Sequence, residues 1–183
     1  MSDFSGNPEV FHSSISANRQ HGVFSDETGS FRLVGCRLED NTGGGVVTTP
    51  DSGGRLVNCV ISTNGDGVYI MADSGVSLRN CTVADNLGDG IGIQFGSEGG
   101  CRLSNCIVWN DTLSRLDVPE QILEAFEVSH SITEGPVLFP GEGNSNADPL
   151  FVSVERTAHR GRPSRRGAAR GKDFHRRRSS AQP

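Results

Sequence analysis

Lysine is missing from the first 154 residues of this chain, and the whole sequence holds one tryptophan, Trp109, and one tyrosine, Tyr69. Each scarcity removes a class of function. Platforms that hold sugars by stacking need exposed aromatic rings, and Trp109 and Tyr69 fall beside apolar positions, where they read as core or flank. No run of 18 apolar residues occurs, so no segment is expected to span a membrane. The opening MSDFSGNPEVFHSS has neither a basic start nor an apolar stretch, so no signal peptide is read in it. No Cys and His spacing reads as a zinc site.

Charge is divided unevenly. Through Val154 there are 20 acids and 7 bases, all arginine, for −13; from Glu155 on there are 10 bases and 2 acids, for +8. A body at −13 repels an anionic polysaccharide unless cations bridge the two. The tail, RGRPSRRGAARGKDFHRRRSSAQP, loses all hydrophobic periodicity. It reads either as a disordered basic tail or as the product of out-of-frame translation. A nucleic-acid arm is not expected, because Phe174 is the only aromatic among its arginines.

Abundant features come next. Glycine, at 24 residues, is about twice its usual share. Cys36, Cys59, Cys81 and Cys106 follow one another at 23, 22 and 25 residues, opening the phrases CRLEDNTGGGVV, CVISTNGDGVYI, CTVADNLGDGIGI and CIVWNDT. Ser13 holds the same phase 23 residues before Cys36, and Ser131 holds it 25 after Cys106, which makes six copies. Five residues after the phase position stands Asn18, Asn41, Asn64 or Asn86, and in the fifth copy Asn110 comes one place earlier. Two residues after it stands Ile15, Leu38, Ile61, Val83 or Val108; Val46-Val47, Val68 with Ile70, and Ile91 with Ile93 follow the glycine turn. This i, i+2 spacing is the period of a strand.

A 22 to 25-residue repeat with three short β segments and Gly or Asn corners predicts an all-β solenoid. In this parallel coil each turn lies about 4.8 Å from the last and like residues stack in columns. The asparagines are expected to hydrogen-bond along their column at a corner. The column of Cys36, Cys59, Cys81 and Cys106 admits two readings. Neighbours stand within disulfide range, and a buried file of thiols explains the spacing as well; Ser13 and Ser131, which take the slot with no partner, favour thiols. Cys101, out of phase, is the candidate reactive thiol.

At these residues the sequence resembles the right-handed parallel β-helix of the pectate-lyase-like superfamily, in particular the repetitive secreted and surface proteins of bacteria that carry NCIVWN followed by ADPLF. Here those are Asn105 to Asn110 and Ala147 to Phe151. The resemblance implies about six rungs over residues 10–152, with 1–9 as an N-terminal extension and 153–183 as the tail. It implies an extracellular or cell-surface location, and a polysaccharide or cell-surface component as partner. Two activities follow: a non-catalytic scaffold or adhesin-like segment of a larger protein, or a carbohydrate-active lyase or hydrolase. For an enzyme, Asp66, Asp85 and Asp89 are the seeds, since carboxylates one or two rungs apart reach the separations that glycosidases use. Asp-Gly is also turn chemistry, and a calcium site is the intermediate possibility.

Arg55, Arg79 and Arg102 are expected in nearly one column, a solvated ladder balancing nearby acids. Residues 113–130 are expected as a helical turn or bulky loop. His12, His21 and His130 read as scattered. The stack needs caps; Phe4, Val10 and Phe11 at one end and Pro136 to Phe151 at the other are thin ones, so the chain is expected to be marginal alone.

Overall fold

Among the residues that the computed structural model describes, 2–3, 7–26, 28–71, 73–94, 100–109, 126–135 and 138–151, strands and corners alternate without interruption by helix. The first sheet holds Ser2–Asp3, Val23–Ser25, Gly44–Thr48, Asp66–Ile70 and Ile91–Ile93; the second holds Glu9–Phe11, Ser30–Val34, Gly53–Val57, Gly75–Arg79, Cys101–Ser104 and Phe126–Ser129; the third holds Ser14–Ser16, Arg37–Glu39, Val60–Ser62, Thr82–Ala84, Ile107–Trp109 and Ile132–Thr133. Successive strands along the chain visit the sheets in turn, and all strand pairings are parallel. The chain is therefore a three-sided parallel β-coil. Two faces carry six described strands and the third carries five, so complete three-sided turns number fewer than the six expected rungs.

Pairing begins at Ser2, opposite Val23, inside the segment read as an extension. Within 113–130, Phe126–Ser129 is a strand of the second sheet rather than part of a helical turn. Residues 113–125, Asn110, Phe4 and the tail at 153–183 lie outside the described residues.

Strand alternation sends one set of side chains inward, where they stack in register. Leu33, Leu56, Leu78, Leu103 and Val128 form one file of the second sheet, and Leu38, Ile61, Val83 and Val108 form the file facing them from the third. All are buried in a single hydrophobic cluster. Apolar burial at roughly 25 cal/mol per Å² is what offsets the entropy of ordering so many corners.

Corners need residues with positive φ, and the sequence supplies them in columns. His12, Gly35, Asn58, Asn80, Asn105 and His130 stand just before the phase position with φ from 46 to 64°. Ala17, Asp40, Thr63 and Asp85 stand just before the asparagine column with φ from 55 to 58°. Asn and Asp tolerate this left-handed region because their short polar side chains bond locally; hence the repeated Asn-Cys and Asp-Asn pairs.

The asparagine column is a continuous ladder. Asn18, Asn41 and Asn64 each donate both the backbone N–H and Nδ2–H to the Oδ1 of the asparagine one rung further on, at 2.8–3.1 Å. The second Nδ2 hydrogen of Asn41, Asn64 and Asn86 goes to the carbonyls of Ile15, Leu38 and Ile61 at 3.0–3.3 Å. Asn41, Asn64 and Asn86 are buried. Gly45 shows what this requires of its neighbours: a Cβ there would stand 2.9 Å from Asn64 Nδ2 and 2.7 Å from Ile61 Cγ2.

The phase column works by another bond. Cys36, Cys59, Cys81 and Cys106 donate their thiols to the carbonyls of Val34, Val57, Arg79 and Ser104, two residues back, at 3.3–3.5 Å. Ser13 and Ser131 make the same bond to Phe11 and Ser129, at 2.8 and 2.7 Å. The slot thus takes a small side chain with one hydrogen to donate, which is why Ser replaces Cys. All five cysteines are free.

The last rung is closed by 138–145. Phe139 is buried and packs on Phe126 with ring centroids 6.1 Å apart. Asn144 accepts from the Ser131 N–H and donates to Val128, Phe139 and Pro140. At the first rung Val10 and Ile15 are only partly buried.

Asn64→Ala removes an acceptor of two bonds and a donor of two in a dry site, which strands buried partners. Urea unfolding is expected to show a loss of about 3 kcal/mol or more, against less than about 1 kcal/mol for Asn80→Gly, whose exposed left-handed corner suits glycine.

Candidate functional site

The outward side of the second sheet is built from two neighbouring columns. One reads Glu9, Arg32, Arg55, Ser77, Arg102, Glu127 across six rungs. The other reads Phe11, Val34, Val57, Arg79, Ser104, Ser129. Arg79 therefore does not share the column of Arg55 and Arg102. It stands two residues along the same strand as Ser77, and Arg32 takes the place expected for it. Counted from the phase position, Arg32, Arg55 and Arg102 stand four residues before Cys36, Cys59 and Cys106, whereas Arg79 stands two before Cys81.

Four of the six described arginines thus gather on one face, on four consecutive rungs spanning about 14 Å. With Val57, Ser77, Leu78, Asn80 and Ser104 they line a groove of ≈ 440 Å³. The outer arginines are paired: Arg32 with Glu9 at 3.2 Å, lying also over the Phe11 ring at 5.9 Å, and Arg102 with Glu127 at 2.6 Å. Arg55 and Arg79, in the middle, have no acid within ion-pairing range among the described residues. Beside them a second ladder runs along the outside, Asn105 Nδ2 donating to Asn80 and Asn80 Nδ2 to Asn58, at 2.8 and 3.1 Å.

The three candidate carboxylates do not converge on this groove. Asp66 and Asp89 stand in register at the glycine turn of the first sheet, and Asp66 Oδ1 accepts the Asp89 N–H at 3.1 Å. Asp66 is thereby a cap for the next rung's turn. Asp85 is the left-handed corner residue before Asn86, with φ 55° and its N–H on the Trp109 carbonyl. Among the described residues no group of three or more His, Cys, Asp or Glu is placed to hold a metal ion.

Of the two places expected for the aromatics, core or flank, the geometry gives the flank. Tyr69 alternates with inward Val68 and Ile70, and Trp109 follows inward Val108, so both are half-buried outer residues and not core. His21 is stacked on Phe24 and accepts the Gly44 N–H at 2.9 Å. Cys101 is not the exposed reactive thiol expected from its odd position: it points inward between Val76 and Phe126, with 0% of its surface accessible. Burial, and then the neighbouring Cys106, push its thiol above the usual range. Cys81 is likewise held up, by hydrogen bonds with Cys106 and Cys59 and by burial.

The family described as right handed beta helix region matches residues 2–115, more than half of the chain. This chain belongs to the right-handed β-helix family. No curated protein and no solved structure matches it. The β-helix face described above is consequently read from its own residues. The arginine columns were within reach of sequence reasoning: outward residues at i and i+2, counted back from the phase position, place Arg32, Arg55 and Arg102 in line.

Thiols buried to this depth, each with 2% or less of its surface accessible, do not reach a water-borne reagent. Ellman's reagent is expected to titrate none of Cys36, Cys59, Cys81, Cys101 and Cys106 in the native β-helix and all five in denaturant. Rapid native labelling of Cys101 by mass spectrometry contradicts the inward register.

Proposed function

We propose that this chain is a non-catalytic segment of a secreted or cell-surface β-helix protein, a rigid scaffold that binds a polysaccharide or other cell-surface component along its second sheet. The observation that carries this reading is the lining of the groove. Arg32, Arg55, Arg79 and Arg102 are fixed positive donors that do not deprotonate in ordinary pH ranges. Ser77, Ser104 and Asn80 add neutral hydrogen-bonding groups, and neither a carboxylate nor a histidine stands among the described lining residues. A site of this composition binds and orients; it has no group whose protonation changes near neutral pH, as general acid–base catalysis requires. Asp66 supports the same reading, because its carboxylate serves a turn.

Stacked rungs also suit a scaffold. Backbone bonds run along the axis on three faces, so the spacing of side chains on the second sheet is set by the coil and not by loops.

The test is to incubate the full chain with a panel of neutral, carboxylated and sulfated polysaccharides and follow two readouts together, retention on the immobilised polymer and release of new reducing or unsaturated ends. Retention that weakens with salt, with no new ends, is the expected result. Turnover that is lost in Asp66→Asn or Asp89→Asn replaces this reading with a carbohydrate-active enzyme.

A further inference from the structure

Four arginines on an acidic coil demand a physical explanation, because like charges directly across neighbouring strands repel. Arg32 and Arg55 are register partners one rung apart, and Arg79 stands on the next rung, two residues along. Carboxylates relieve this repulsion only at the ends, where Glu9 meets Arg32 and Glu127 meets Arg102. The centre is left with Arg55 and Arg79 and no described acid partner. A long polyanion laid along the axis is disfavoured by the same two glutamates, which stand in the arginine column itself. The stripe is thus a bounded positive spot whose unrelieved part is two rungs high.

The donors around that spot can be counted. Each guanidinium presents a fork of two parallel N–H groups. Ser77 lies in register with Arg55 and with Arg102, and Ser104 lies in register with Arg79; both hydroxyls line the groove. That makes about six donors, four charged and two neutral. A carboxylate offers two oxygens with about four acceptor positions, and a sulfate or phosphate monoester offers three oxygens with about six.

We propose that Arg55 and Arg79, with Ser77 and Ser104, form a binding site for a tetrahedral oxyanion monoester, a sulfated or phosphorylated sugar unit whose ring lies in the groove over Val57 and beside Asn80. This rests on the reading of the second sheet as a binding face, and it assigns the chemical group that the face selects. The site takes one ester group of a ligand and not a run of carboxylates, so uronic acids bind it less well.

The experiment titrates the full chain at constant ionic strength with glucose 6-sulfate, glucose 6-phosphate, glucuronate and sodium chloride, reading amide chemical shifts. Three proteins are compared: the unsubstituted chain, R55Q/R79Q, and R37Q, whose arginine pairs with Glu39 on the third sheet. Millimolar binding of either ester is expected, centred on the amides of Arg55, Ser77, Arg79 and Ser104. R55Q/R79Q is expected to weaken it at least tenfold and R37Q to leave it within twofold; glucuronate binds at least fivefold more weakly. The sulfate and phosphate arms say which ester is preferred. A purely structural role for the two arginines lowers the melting temperature in R55Q/R79Q, whereas relief of repulsion leaves it equal or higher at low salt. Ester binding unchanged in R55Q/R79Q, glucuronate equal to the esters, shifts no larger than those with chloride, or a lowered melting temperature in the double variant each overturn the site. Turnover of a polysaccharide with ester binding intact overturns the non-catalytic reading alone.

Discussion

Everything in this coil depends on parallel strands pairing with the equivalent strand one turn away, at about 4.8 Å. In such a stack a residue's neighbours on both sides hold the same slot in the repeat, so whatever a slot contains must be compatible with copies of itself. Apolar slots satisfy this trivially. Polar slots must offer donor and acceptor in opposite directions along the axis, and the asparagine side chain does: Asn64 gives Nδ2–H toward Asn86 while its Oδ1 accepts from Asn41. A buried aspartate in the same slot would still accept the backbone N–H of the neighbouring rung, but it would have no side-chain hydrogen to give to the next carboxylate. The Cys and Ser column solves the same problem by turning its hydrogen back onto its own strand, to the carbonyl two residues earlier.

The constraint also sorts charge. Arginine files on the second sheet repel themselves, and a coil that is strongly acidic before its tail accepts them only at an exposed face, with acids at the two ends of the file. Net charge therefore misleads as a guide to the surface. The body sums to −13, yet the groove over Ser77 and Leu78 is lined by four cations and no anion among the described residues. Potentials act over distances of about 10 Å or less at physiological salt, so a local stripe outweighs distant carboxylates.

Carboxylates tell the opposite story. Asp66 and Asp89 are brought together, as their equal places in successive repeats imply, and the closeness is consumed by a turn: a carboxylate oxygen holding the backbone N–H of the next rung. Proximity of two acids in a solenoid is a consequence of repetition before it is a sign of catalysis. The distinction lies in what else faces the pair, and that cannot be read from spacing.

Repetition made much of this protein legible from its residues. The period of 22 to 25, the i, i+2 alternation and the Asn and Gly corners determine a three-sided parallel β-coil, since no other arrangement buries those apolar files and still places the asparagines in line. Less visible were the inward aim of Cys101 and the offset of Arg79. Both follow from counting back from the phase position: Cys101 stands five residues before Cys106, in the inward slot that Val76 holds before Cys81, and Arg79 stands two before Cys81 where Arg55 and Arg102 stand four before theirs. The sequence by itself determined the architecture, the ladders and the identity of the corner residues, because each is set by interactions between equivalent places in the repeat. Only the tertiary structure decided which of the long arginine side chains close ion pairs and that the two outward columns meet in one groove, because the aim of a flexible side chain and the contact between different slots are not set by the repeat.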